Sequence, residues 1–156
     1  MLTNSKRDEP APPVGAPLGA SGSKHYLVRD IMTRKVMTMR PHDSFGDAVT
    51  LMANHQFRHF VVTEDNERVV GVVSDRDILR SFARSSDWKT LNVSRIMTSE
   101  PCTVNIETPL AAAVALMIEK RINCLPVVAD DGTLRGILTS TDLLKSYQNL
   151  LASCEK

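Results

Sequence analysis

Aromatic residues are scarce: one Trp, two Tyr and four Phe in 156 residues. Any core must therefore be aliphatic, drawn from Val, Leu, Ile and Met. Cysteine is as sparse. Cys102, Cys124 and Cys154 are odd in number and form no C-x-x-C pair, which argues against a disulfide framework or a zinc site and for a reducing compartment. Neither sign of charge dominates. The formal net charge is +1, and without a basic stripe a polyanion such as DNA is an unsuitable partner. The longest apolar run, Leu110 to Ile118, falls well short of the roughly 18 residues a membrane span needs. The N-terminus lacks the apolar stretch of a secretory signal. These absences predict a soluble, cytoplasmic chain. The histidines His25, His42 and His55 share no metal-ligand spacing, so no metal is expected. No Ser-His-Asp set, P-loop or G-x-G-x-x-G is present, which argues against an enzyme.

What the chain does contain, it contains twice. Gly71-Val72-Val73-Ser74-Asp75-Arg76-Asp77 is answered sixty-five positions later by Gly136-Ile137-Leu138-Thr139-Ser140-Thr141-Asp142. Around these heptamers the match runs without a gap from Val28 and Val93 to Leu79 and Leu144, and includes Ile31-Met32-Thr33 against Ile96-Met97-Thr98. Such a repeat fixes the folding unit.

Each unit reads as β-α-β-β-α. Val36–Met39 and Cys102–Val104 are short extended segments. In the helices that follow, Phe45, Ala48, Val49 and Met52 form one apolar stripe, as do Leu110, Ala113, Val114 and Met117. Asp43-Ser44 in one unit and Thr108 with Pro109 in the other supply the start signals. Phe60–Thr63 with Val69–Val73, and Leu125–Ala129 with Leu134–Leu138, are joined by short polar turns and predict antiparallel hairpins. A second helix follows Ser74 or Thr139. The expected organisation is a Pro- and Gly-rich disordered leader at 1–23, a first repeat at 24–84, a linker at 85–92, a second repeat at 93–148 and a tail at 149–156. A unit of this size buries little surface by itself, so the fold class expected is α/β (α+β), with two pseudo-symmetric repeats packed sheet to sheet and a cleft between them.

Candidate binding residues follow from the doubled heptamer. An ionised carboxylate can accept from both hydroxyls of a ribose. Asp77 and Asp142 stand in a first helical turn, with Ser74 and Thr139 on the same face. The same [ST]-x-x-D pattern is also a helix capping box, and the two readings are compatible. On the phosphate side, Arg58 and His59 precede a strand and Arg76 lies in the first turn of a helix. The matched positions Asn123, Cys124 and Thr141 carry no charge. Arg58 and His59 read equally as a solvated strand end.

The order of elements and the paired G-h-h-[ST]-x-x-D segments resemble a tandem cystathionine-β-synthase (CBS) domain pair, or Bateman module. Val28-Arg29-Asp30-Ile31-Met32-Thr33, Val93-Ser94-Arg95-Ile96-Met97-Thr98 and Asn123-Cys124-Leu125-Pro126-Val127-Val128 also carry the likeness, which covers Val28 to about Ser146. The resemblance implies a regulatory module that binds an adenosine-containing ligand between the repeats: AMP, ADP or ATP, with NAD or S-adenosylmethionine as further options. It implies Met37-Thr38-Met39 against the base at the Asp142 site and Cys102-Thr103-Val104 against the base at the Asp77 site. With Arg58, His59 and Arg76 assigned to the former and Asn123, Cys124 and Thr141 to the latter, the Asp142 site is expected to favour a phosphorylated ligand. The resemblance further implies face-to-face pairing into a homodimer, and the apolar stretch Ala111-Ala112-Ala113 and the second helices are expected to form the interface. An effector protein is a further possible partner. The alternatives are a ligand-free interaction module and a small enzyme.

Overall fold

The computed structural model describes residues 26–55 and 57–154; the expected leader lies outside them. Two sheets carry the fold. The first has four strands in the order β1 (Thr38–Met39), β2 (His59–Thr63), β3 (Val69–Ser74) and β4 (Thr98–Ser99). The second has β5 (Val104–Asn105), β6 (Cys124–Val128) and β7 (Leu134–Thr139). In each, a short strand joins a hairpin in parallel, Thr38 opposite Val61 and Val104 opposite Val127. The hairpins are antiparallel, and β-branched residues fill them as a half-buried pleat favours. Helices α2 (Phe45–Asn54) and α3 (Asp75–Arg84) belong to the first repeat, α4 (Leu110–Lys120) and α5 (Ser140–Cys154) to the second, and a single turn, α1 (Val28–Ile31), precedes them all. The β-α-β-β-α expectation is thus met. α5 runs to Cys154, so 149–154 is helix.

The two helix starts differ. Ser44 caps α2 by accepting from the Asp47 amide at 3.0 Å, while Asp43 accepts from the Arg40 amide. Thr108 does not cap α4. Its hydroxyl instead accepts from the amide of Asn105 at 3.1 Å, and Pro109 occupies the cap position without a side-chain bond. A proline that leads a helix needs no cap on its own missing N–H.

The lead-in segments are exchanged between the halves. Val28 and Met32, at the start of the first repeat, are buried with Val104, Ala113, Met117, Leu125, Val127 and Leu138 of the second. Val93 is buried with Met39, Phe45, Phe60, Val62 and Val73 of the first. Backbone pairing follows the same exchange: β4 pairs with β3, and Thr33 bridges to Ile137 on β7. This accounts for the repeated glycine. A Cβ at Gly136 would meet the Thr33 carbonyl oxygen at 2.8 Å, and one at Gly71 the Met97 sulfur at 2.5 Å. Each heptamer opens with glycine because the other repeat's lead-in lies on it.

A third cluster seals the sheets to each other. Val61 and Val72 meet Cys124 and Ile137, flanked by Val36, Val69 and Leu134. The two hairpin turns also bond directly, the Leu134 amide to the Glu67 carbonyl at 3.0 Å. Residues 85–92 do more than connect. Trp88 packs on Phe45 and Phe82, with ring centroids 5.8 and 5.2 Å apart, and closes the first core. No helix of the described residues is long and apolar enough to cross a membrane.

Candidate functional site

Both heptamers end a strand and start a helix, and that junction fixes the paired aspartates. Ser74 closes β3 in an extended conformation, its hydroxyl accepts from the Asp77 amide at 3.2 Å, and Asp77 Oδ2 accepts in return from the Ser74 amide at 2.8 Å and the hydroxyl at 2.6 Å. Thr139 and Asp142 repeat the pattern at 3.3, 2.8 and 2.6 Å. The capping box is therefore present in both halves, and it engages one carboxylate oxygen of each aspartate. The second oxygens differ. Asp142 Oδ1 accepts from the Thr33 hydroxyl at 2.8 Å, whereas Asp77 Oδ1 faces the Arg80 guanidinium at 3.7 Å.

Of the cationic residues expected on the Asp142 side, Arg58 and His59 lie beside Asp75, and Arg76 lies near the first turn of α5. Arg58 donates to Asp75 Oδ2 at 2.9 Å within its own repeat. Burial opposes ionisation of Asp75, but the bond and charge of Arg58 outweigh it and hold the carboxyl below its ordinary range. Half-buried His59 is shifted down, first by desolvation and then by Arg58, against the opposing pull of Asp75 and Asp77. Arg76, assigned with Arg58 to the Asp142 side, shares a depression of about 450 Å³ with Asn123, Arg121, Ser140 and Leu143, the last two flanking Asp142 in sequence, and Met117 and Ile122 floor it. Arg76 and Asn123 thus belong together, because the first turn of α3 faces the start of β6 across the cleft.

Cys124, the counterpart of His59, is buried. Desolvation, with the Asp77 charge added, pushes its thiol up to about 12. The two base-contact segments are only partly free. Met37, Thr38, Cys102 and Thr103 are exposed, but Met39 and Val104 point into the two cores at 3% and 8% exposure, so only their backbones can face a ligand. The alternation of side chains along β1 and β5 requires this. Thr141 is exposed in the first turn of α5.

Residues outside the sequence reading complete the surroundings of Asp77. A depression of about 290 Å³ brings it together with Arg80, Ser81, Arg84, Ser85 and Arg95. The i, i+4 spacing of Arg80 with Arg84 and of Ser81 with Ser85 was readable in the sequence. Arg95 was not, since it arrives through the exchanged lead-in. No group of three or more His, Cys, Asp or Glu suited to a metal occurs among the described residues.

Comparison with known proteins agrees with this architecture. The sequence matches the CBS domain at residues 28–84 and again at 93–149. A relative among curated proteins is the chloroplastic CBS domain-containing protein CBSX2 of Arabidopsis thaliana, 32% identical over 150 residues, covering 78% of this chain and 63% of that protein. The structure of CBSX2 in complex with AMP aligns with a TM-score of 0.71 at 33% identity over 80% of this chain and 97% of that one. The CBS domain pair of protein MJ0100, in complex with 5′-methylthioadenosine and S-adenosyl-L-methionine, aligns with a TM-score of 0.73 at 25% identity over 80% and 97% of the two chains. Inosine-5′-monophosphate dehydrogenase of Methanocaldococcus jannaschii is 28% identical over 127 residues, 81% of this chain but 25% of the enzyme. The chain spans about a quarter of the length of that enzyme and of the homoserine O-acetyltransferases it also matches. The chain belongs to the CBS-domain family and carries two CBS domains in tandem.

Proposed function

We propose that this CBS pair is a cytoplasmic ligand sensor that binds an adenosine-containing nucleotide between its repeats and signals through its assembly, without chemistry of its own. One observation carries the reading: a hydroxyl–aspartate pair is built identically at the strand–helix junction of both repeats, in the first turn of a helix where negative charge is stabilised. A carboxylate held by its own backbone is fixed in place to accept ribose hydroxyls. The AMP, methylthioadenosine and S-adenosylmethionine held by the related pairs have an adenosine group in common, which supports the same ligand class here.

Thermal unfolding with AMP, ATP, NAD and S-adenosylmethionine tests the proposal, since a ligand that favours the folded state raises the midpoint. A rise with at least one, abolished by Asp77→Ala with Asp142→Ala in a variant that still folds, is the expected result. Each lost charge-assisted contact should weaken binding by about 1.5–3 kcal/mol. An unchanged affinity in the double variant would reduce the aspartates to caps.

Assembly is read as a homodimer. Of the expected interface, Ala113 is fully buried in the second core and cannot contribute, whereas Ala111 and Ala112 are exposed and stay in it with the second helices, α3 and α5. Leu79 and Leu144 occupy matched positions and are 67% and 68% exposed, and Phe82 and Tyr147 repeat the relation. A patch that carries the pseudo-two-fold of the module suits an isologous partner, a second copy of itself. Light scattering should give twice the 17.2 kDa chain mass.

A second reading has its own support. Asp142 has both oxygens engaged within the protein, as a purely structural aspartate would. A ligand-free interaction module predicts the dimer mass and no midpoint shift with any nucleotide.

A further inference from the structure

Three arginines line one depression beside Asp77. Arg80 and Arg84 project from one face of α3, and Arg95 comes from the 3₁₀ turn Val93–Arg95 of the other repeat. Among the described residues Arg84 and Arg95 form no ion pair, and the approach of Arg80 is to Asp77 Oδ1 at 3.7 Å. Two hydroxyls, Ser81 and Ser85, share the wall. Convergent like charges repel, and the planar fork of arginine matches phosphate oxygens two at a time.

We infer that this depression is a polyphosphate-binding site. Resting on the nucleotide reading above, it makes the Asp77 side the one that takes a nucleoside di- or triphosphate. The carboxylate oxygen left over from capping is the one that faces Arg80, so a ribose held by Asp77 has its phosphates beside the arginines.

At the matched positions of the other half stand Lys145, Asn149 and Asp30. Three cations against one carboxylate become one cation against two. At these matched positions the Asp77 side is the more cationic of the two. This adds arginines on the Asp77 side to the expectation from sequence, which counted Arg58, His59 and Arg76 toward Asp142. Arg58 is bonded to Asp75 and His59 is shifted toward its neutral form, while Arg76 and Arg121 line a separate depression with Asn123, Ser140 and Leu143.

Calorimetry with ATP, adenosine and inorganic tripolyphosphate tests the site on the parent, on R80Q/R84Q/R95Q and on K145Q, with circular dichroism confirming the fold. ATP should bind the parent more tightly than adenosine. The triple variant should lose ATP affinity by at least about tenfold, with adenosine affinity unchanged, while K145Q leaves ATP binding within about twofold. ATP binding that is equal in parent and triple variant overturns the inference. Should neither ATP nor adenosine bind the parent, the nucleotide reading fails by itself. Tripolyphosphate then decides the site: binding to the parent that the triple variant lacks upholds it, and no binding to the parent overturns it.

Discussion

The two repeats share a backbone plan and use it for different ends. The first closes its core with rings, Phe45 edge-on to Phe82 at 5.1 Å and Trp88 against both. The second places Leu110 and Tyr147 at the matched positions, and Tyr147 is exposed. Around the aspartates the first gathers arginines where the second has lysine, asparagine and aspartate. Among the positions alike in both repeats, the glycine and the methionine that covers it are where each half grips the other, while the hydroxyl and the aspartate bond to each other within one repeat. Positions that differ line the cleft or the outer shell of a core. The shared glycine and methionine therefore belong to assembly of the pair, and the differing residues around each aspartate to what each side can bind.

The largest expected effect separates the two cores. Phe45 is fully buried among rings that cannot collapse into its place, so Phe45→Ala should destabilise by about 3–5 kcal/mol. Leu110→Ala, at a half-buried position, should fall near the lower end of the aliphatic range, about 2 kcal/mol. Urea unfolding of both variants measures the difference. Equal losses would mean that the aromatic trio adds nothing to the first core.

The glycines come next. At Gly136 the obstacle to a Cβ is the Thr33 backbone oxygen, which cannot turn away; at Gly71 it is the Met97 side chain, which can. Gly136→Ala should therefore lose about 2–3 kcal/mol and Gly71→Ala about 1 kcal/mol, within the range for overpacking. Because the lead-ins are exchanged, both variants should unfold in a single transition. Two separate transitions would show that the halves fold independently and that the exchange matters less than the burial suggests.

Much of this arrangement was legible in the sequence, and the parts that were not share a cause. The repeat, the hairpins, the helix stripes and the hydroxyl–aspartate junctions all depend on neighbours within one repeat, where spacing fixes geometry. Period-two alternation even held the information that Met39 and Val104 turn inward, since each lies one position beyond an exposed threonine. The exchange of lead-ins was not legible. Val28 and Val93 look alike in sequence whichever core they enter, and only the structure shows that each enters the other repeat's. Arg95 and Thr33 reach the two aspartate sites by that route, and Arg76 meets Asn123 across the same cleft. Contacts between repeats are set by packing, and periodicity carries no record of them.

A smaller effect sharpens the contrast between the aspartates. The Thr33 hydroxyl donates to Asp142, but no such bond joins Thr98 to Asp77 among the described residues. Thr33→Val should cost about 1 kcal/mol and Thr98→Val close to nothing. Thr33→Val should also free Asp142 Oδ1 and so raise adenosine affinity at that site. If the two variants lose equally, the bond does not distinguish the halves.

The last contrast is in the pH dependence, at the matched pair His59 and Cys124. Both sit where a strand begins against the cleft, and both are held toward the neutral form chiefly by desolvation. For a base and an acid the consequences run in opposite directions. The native pKa of His59 lies below its ordinary 6.5, so as the pH falls past that value the unfolded chain takes up a proton that the native protein resists. Stability held above the ordinary pKa is lost as the pH falls through the native one, with a slope under the limit of about 1.4 kcal/mol per pH unit for one group. The pull of Asp75 and Asp77 keeps the loss small. For Cys124, with its thiol raised from 9.0 to about 12, stability is intact below the lower value and declines as the pH climbs between them. Urea midpoints from pH 5 to 7, compared between the parent and His59→Asn, should show an acid-side slope that the variant lacks. Between pH 9 and 10.5 Cys124→Ala should flatten the alkaline slope and leave the acid side alone. An acid slope between pH 5 and 7 that persists without His59 would overturn its assignment to His59, since the contribution of Asp75, whose native pKa is lowered, fades only further down as the pH falls past its ordinary 3.8.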